Sequence, residues 1–176
     1  LKSFGVHLNG YVRTDDGVDL WNARRAEKKT QFPGELDHLA AGGQPLGLTR
    51  RENMIKESSE EAGLPADVAS AMVPAAGIAY RCDLPEGLND DCIFVYDLEV
   101  PAEFEPRNED GEVASFERMP VAEVLERLRT TDDFKFNVGP VILDFMLRHE
   151  LLPEDDPEYE AVRTHIQRMR EKAVGV

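Results

Sequence analysis

Two hydrophobic periods share this chain, and together they exclude an all-helical or an all-strand fold. In the first third Val6, Leu8 and Val12 alternate with polar neighbours. Thr14-Asp15-Asp16-Gly17 is a turn signal, and Val18 to Ala23 can return as the partner of a hairpin. A short apolar segment, Leu36 to Ala41, then runs into Gly42-Gly43. From Thr49 the period becomes helical: Thr49 with Glu52 forms a T-x-x-E capping box, and Gly63 followed by Pro65 is a stop signal. Val73 to Tyr80 and Cys92 to Val100 are rich in Val, Ile, Phe and Tyr and predict strands joined by a polar loop.

After the Asn108-Glu109-Asp110-Gly111 turn, a strand over Glu112 to Arg118 leads to Pro120, a residue favoured at the first helical position. Val121, Val124, Leu125 and Leu128 give that helix an apolar stripe, and Val141, Ile142, Phe145 and Met146 mark another. Tyr159, Val162, Ile166, Met169 and Ala173 mark a last helix, which is expected to dock in cis; a dimer seam is the other use of such a stripe. Strands mixed with helices predict an α/β (α+β) domain. Hairpin connections among the first strands argue against a parallel doubly wound sheet.

Composition narrows the function classes. The 176 residues suit one domain. With 35 Asp+Glu against 20 Lys+Arg the formal charge is −15, which argues against nucleic acid, since phosphate neutralisation needs a basic face. The longest weakly polar stretch, Val68 to Tyr80, is far short of the roughly 20 residues that span a bilayer, so no membrane partner is expected. Two cysteines, Cys82 and Cys92, suit neither a disulfide scaffold nor structural zinc, and a cytoplasmic, reducing location is expected.

The segment GGQPLGLTRRENMIKESSEEAGL, from Gly42 to Leu64, carries the chemistry. At 100° per residue, Met54, Ile55, Ser58 and Ala62 share one arc of this helix, and Glu57, Glu60 and Glu61 share another. Three like charges within about one turn repel unless a cation sits among them, and a hard ion such as Mg²⁺ suits oxygen ligands. A solvated surface helix with Lys56 between Glu52 and Glu60 has the same pattern, so spacing alone leaves both readings open.

This segment resembles the Nudix box, G-x5-E-x7-R-E-U-x-E-E-x-G-U, where U is bulky and apolar. Gly42 matches the first glycine, Glu57 the glutamate of R-E, Glu60 and Glu61 the E-E pair, and Gly63-Leu64 the closing pair. Leu48 replaces the first glutamate, Lys56 the arginine and Ser58 the apolar residue. In the family that glutamate and arginine brace the loop against the helix. Here the brace is expected from apolar packing of Leu48 and from the Thr49 cap. The strings LWNARRAEKKTQFPGELDHLAAGG, DDCIFVYDLEVP, NEDGEVASFERMPVAEV and FKFNVGPVILDFMLRH are similar to a Nudix subgroup related to thiamine metabolism.

The resemblance implies a Nudix-type α/β/α sandwich with a mixed β-sheet over residues 1–150, with residues 151–176 supplying the C-terminal helix. A further N-terminal domain is expected upstream, since the chain opens at Leu1 and its first methionine is Met54. It also implies attack by a metal-activated water on a diphosphate linkage in a small organic or nucleoside diphosphate, a damaged thiamine diphosphate included. The implied ligands of Mg²⁺ (or Mn²⁺) are Glu57, Glu60 and Glu61 with a carbonyl near Gly42, and the implied catalytic residues are Glu60, Glu61 and Glu112. Arg24 and Arg25 are candidates for gripping phosphate, and His38, Lys135 and Asn137 for touching substrate; Tyr80, Phe94 or Tyr96 could stack on a substrate ring. The partner expected is the small-molecule diphosphate, bound by a monomer or homodimer. Two alternatives stand beside hydrolysis: a non-catalytic ligand-binding module, and an isopentenyl-type diphosphate isomerase, which needs a protonating cysteine or glutamate.

Overall fold

The computed structural model describes residues 2–84 and 87–174. In chain order the elements are β1 (Ser3–Thr14), β2 (Gly17–Arg25), β3 (Leu36–His38), β4 (Ala40–Gly43), α1 (Arg50–Ala62), α2 (Ala66–Ala69), β5 (Val73–Leu84), β6 (Gly87–Glu99), β7 (Val113–Pro120), α3 (Val121–Thr130), α4 (Val138–Arg148) and α5 (Tyr159–Ala173).

Strand β1 organises the sheet. Along one edge it runs parallel to β6, from Ser3 opposite Asp91 to Tyr11 opposite Glu99. Along the other it pairs antiparallel first with β4, Gly5 opposite Gly43, and then with β2, Gly10 opposite Trp21. Strand β2 continues to β3 and β7, and β5 closes the far side as the antiparallel partner of β6. Being covered on both faces, β1 is buried without interruption from Val6 to Val12, so its alternation partitions two cores.

Odd and even positions of β6 show the two layers. Tyr96 and Leu98 pack with Val6, Leu8, Leu39, Met54 and Ala62 under α1. Ile93 and Val95 pack with Ile78, Val141, Ile166 and Met169 under α4 and α5. A third cluster joins Tyr11 and Leu20 to Val124 of α3 and to Ile142, Phe145 and Met146 of α4. The result is a mixed sheet with helices on both faces, the fold class expected. Among the described residues no helix is long and apolar enough to cross a membrane.

Two local expectations change. The polar stretch between Tyr80 and Cys92 continues both strands: Arg81 pairs in register with Asp90, and their side chains meet at 2.8 Å. The described residues 81–83 and 87–91 are exposed or half-buried, so these arms pair clear of the core. Pro120 ends β7 and occupies the N-cap, so the first helical residue is Val121.

Gly10 allows the closest crossing of the core. A Cβ built there would lie 2.2 Å from Cδ2 of Leu39, which is itself fully buried. Gly10→Ala is therefore expected to destabilise by about 1–3 kcal/mol through overpacking, read as a lower urea midpoint at unchanged slope.

Candidate active site

Helix α1 is set by its two ends. The Thr49 hydroxyl accepts from the Glu52 N–H at 3.2 Å while Glu52 accepts from the Thr49 N–H at 2.8 Å, so both halves of the capping box form. Gly63 ends the helix at φ 64°, a left-handed conformation that suits glycine. The buried face holds Met54, Ser58 and Ala62. Ser58 is tolerated there because its hydroxyl donates to the Met54 carbonyl at 2.6 Å.

The loop before the helix is braced by amides. Leu48 is 38% exposed, so its side chain does not supply the packing brace expected of it. Instead Gln44 Nε2 donates to the Leu48 carbonyl at 2.8 Å, and Asn53 Nδ2, from within the helix, donates to the Gly43 carbonyl at 3.0 Å. Lys56, in the arginine position, reaches Glu57 at 3.4 Å and Glu60 at 2.5 Å.

The last carbonyls of α1 have no partners within the helix, and the loop before β7 supplies them. The Arg107 N–H donates to Ala62, the Glu109 N–H to Glu60, and Asn108 Nδ2 to Glu61, at 3.0, 3.1 and 3.2 Å respectively. Asn108 Nδ2 and the Glu112 N–H both donate to Asp110 Oδ1, at 2.8 and 2.7 Å, which fixes the turn. This docking brings Asp110 and Glu112 to Glu61, with carboxylate oxygens all within 4.8 Å of one another. Lys29 pairs with Glu112.

Glu61 is the buried member. Its carboxylate accepts the Ala41 N–H at 2.7 Å. Burial pushes its pKa up to about 8, helped by Asp37 and Glu57 and opposed by the Ala41 bond and Lys29. Burial likewise raises Glu57, with Lys56 opposing. Gly42 makes room for Glu57, since a Cβ there would lie 2.3 Å from Glu57 Cδ. An all-oxygen donor set gathered where burial penalises negative charge fits a hard divalent cation. Glu57, Glu61, Asp110 and Glu112 are the residues that could hold it, with Glu60 more exposed beside them.

These groups open onto a cleft of about 530 Å³ whose lining includes Gly42, Glu57, Glu60 and Glu112 together with Arg25, Lys135 and Asn137. Seven of the sequence candidates thus converge, and Glu61 lies directly behind them. Arg24 does not. Adjacent strand residues face opposite ways, and its guanidinium is held by Glu117 at 2.6 Å, Asp133 at 3.1 Å and the Gly34 carbonyl at 2.8 Å. His38 is also absent from the cleft wall: it is 3% exposed, and its Nδ1 meets His7 Nδ1 at 2.8 Å. His7 is the histidine that lines the cleft, and burial, then His38, holds it well below the usual histidine value, so it is neutral at pH 7.

Asp37 lies between these histidines and the cleft cations. It accepts from Arg25 and Lys135, each at 3.1 Å. Burial works to raise its pKa, but Lys135 and the His38 imidazole hold it well below the carboxylate range. With two cations already placed, the His7–Asp37–His38 group is a poor metal site although its ligand atoms cluster. Sequence reasoning missed Asp110, Lys29, His7 and Asp37, and also Asp91, which lines the same cleft. Asp110 carried a signal, as it lies two residues before Glu112 in a turn; Asp37 and His7 carried none.

Two outcomes follow from this geometry. With metal removed by a chelator, folded Glu61 keeps its proton up to about 8 while the unfolded chain loses it near the ordinary 4.5. Stability then falls as pH rises through that window, and Glu61→Gln is expected to flatten the slope in melts between those limits. Gly42→Ala displaces Glu57 and is expected to weaken Mn²⁺ binding about tenfold by calorimetry, with little change in melting temperature.

Three likenesses bear on identity. The chain is 42% identical over 90% of its length to Nudix hydrolase 24, chloroplastic, of Arabidopsis thaliana, covering 44% of that protein. It is 40% identical over 90% of its length to Nudix hydrolase 20, chloroplastic, of the same plant, covering 42% of it. It thus spans less than half the length of either plant protein. Its fold is shared by the NUDIX domain of Shewanella oneidensis NrtR, solved with ADP ribose, at a TM-score of 0.65 and 12% identity, over 85% of this chain and 89% of that one. No protein-family model matches the chain. With the Gly42–Leu64 spacing seated on a capped helix beside the carboxylate cluster, the chain is similar to two Nudix hydrolases over most of its length and shares the fold of a NUDIX domain.

Proposed function

We propose that this chain hydrolyses a diphosphate linkage in a small organic or nucleoside diphosphate, with thiamine-diphosphate-like compounds as the leading substrates and Mg²⁺ or Mn²⁺ as cofactor. The observation that carries the reading is the meeting of Glu61, Asp110 and Glu112 within 4.8 Å, beside Glu57 and facing Arg25 and Lys135 across one cleft. Pyrophosphate-type hydrolysis accords with the Nudix hydrolase relatives, and the ADP ribose bound by the NrtR domain is itself a diphosphate ester.

Glu57, Glu61, Asp110 and Glu112 would hold the cation, which supplies charge stabilisation at the phosphoryl oxygens and acidifies the attacking water. The chain's own residues do the rest. Arg25 and Lys135, steadied by Asp37, face the phosphates as fixed donors and need no reorganisation as charge develops. Glu112 on the rim accepts the proton of the water, as its carboxylate is 44% exposed to the cleft side while Glu61 is sealed beneath. Lys29 must exchange its pairing with Glu112 for one with substrate phosphate.

The isomerase reading needs an acid such as cysteine at the reacting carbon. Cys82 and Cys92 are both outside the cleft lining, and burial raises the pKa of each. A panel of thiamine diphosphate, its oxidised analogues, ADP-ribose and nucleoside triphosphates, assayed with Mg²⁺, tests the proposal. Metal-dependent product release is expected from at least one member, with a loss of about 100-fold or more in Glu57→Gln at unchanged melting temperature. Tight binding without product from any member would instead favour the ligand-binding module.

A further inference from the structure

The floor of the cleft holds a buried histidine pair that neither the carboxylate cluster nor the cations explain. His7 lies on β1 opposite Ala41 of β4, the residue whose N–H holds Glu61. Its ring packs edge-on against that of His38, with centroids 4.7 Å apart, and both side chains are buried. His7 is the member that lines the cleft. Gly5, two residues earlier, shares the same face of β1 and brings no side chain to cover the ring.

The contact between the rings decides where their protons sit. The two Nδ1 atoms lie 2.8 Å apart, so one ring donates and the other accepts. Two observations name the donor. Asp37 Oδ1 lies 3.4 Å from His38 Nδ1, and a carboxylate attracts a proton at that nitrogen but repels a lone pair. On the far side of the same ring, His38 Nε2 is buried with no partner among the described residues. A proton there would be an orphaned N–H, which folded proteins tolerate less readily than an unused acceptor. His38 therefore carries its proton on Nδ1 and donates it to His7 Nδ1. His7 in turn holds its own proton on Nε2, the nitrogen left for the cleft.

Asp37 locks this order in place because both its oxygens are engaged. Oδ1 accepts the His38 backbone N–H at 3.0 Å, and Oδ2 is held by Arg25 and Lys135 at 3.1 Å each. The carboxylate that orients the histidines thus also sets the two cations that line the same cleft.

We propose that His7 is a neutral hydrogen-bond donor to a phosphoryl oxygen of the bound diphosphate, and that His38 and Asp37 are positioning residues that keep its proton on Nε2. This rests on the diphosphate reading of the cleft. A third cation would be repelled by Arg25 and Lys135, whereas a neutral N–H adds a fixed dipole without that cost. Neutral imidazoles polarise substrate oxygens elsewhere in the same way. The donor is set before the ligand arrives, so nothing reorganises as charge develops on that oxygen.

The test reads the proton directly. Nitrogen NMR spectra of the histidine rings at pH 7 report which nitrogen is protonated, with His7→Gln identifying the His7 signals. His7 is expected as the Nε2–H tautomer alone. Methylenediphosphonate with Mg²⁺, a diphosphate analogue that cannot be hydrolysed, is expected to move its Nε2–H signal downfield. His38→Phe keeps a ring but removes the donor, and should leave His7 a mixture of tautomers; a merely structural His38 would not alter the tautomer. By calorimetry, His7→Phe should bind the analogue about tenfold more weakly, and His7→Gln, which retains an amide donor, should recover part of that loss. If a phenylalanine variant does not fold, the spectra of the unaltered chain decide. A His7 that is charged or protonated on Nδ1, or a bound analogue that leaves its signal unmoved, overturns the proposal and leaves the diphosphate reading intact. Failure of the unaltered chain to bind the analogue overturns both. A moved His7 signal without hydrolysis of any compound in the panel would sink the hydrolase reading and leave this donor standing.

Discussion

The docking of one loop onto one helix end is the constraint on which the site depends. A helix must satisfy its last carbonyls, and α1 does so with backbone and amide donors from residues 107–109. The same contact delivers Asp110 and Glu112 to the buried Glu61. Structure and function therefore share a joint: the interactions that close the helix also gather the carboxylates. Glu61 is anchored from the opposite side by the Ala41 N–H, so the cluster is fixed between sheet and loop. Its desolvation is a reservoir of unfavourable energy that a bound divalent cation would relieve.

The charge distribution is organised at a finer scale than the net −15 suggests. Carboxylates and cations line one cleft, and Asp37 beneath it sets Arg25 and Lys135 side by side. One carboxylate shared by two cations leaves positive character facing the cleft. An acidic protein can therefore still present cations to an anion, because local arrangement, not total charge, governs short-range contacts.

The fold was largely legible because its local signals agree. Thr49, Glu52, Gly63 and Pro65 bound α1, alternation marked β1 and β2, and apolar spacing marked α3, α4 and α5. The errors came where local polarity and tertiary setting part company, as in the arms of the β5–β6 hairpin. At the site, residues on one helix were readable from spacing, Arg25 from its strand-end position and guanidinium chemistry, and Lys135 and Asn137 from resemblance. Asp37, His7 and Asp91 were not legible, because each acquires its setting from strands far apart in sequence. Arg24 and Arg25 show the limit most plainly: neighbours of one type, only one reaches the cleft, and the β2 pairing decides which.

The brace between the glycine loop and α1 has a consequence of its own. Gln44 and Asn53 make it from amide groups and backbone carbonyls, without formal charge. Counter-ions have little to screen in such a joint. Ionic strength would then act on the encounter with a charged ligand while leaving the scaffold that presents Glu57 unmoved, so that salt becomes a control on capture alone.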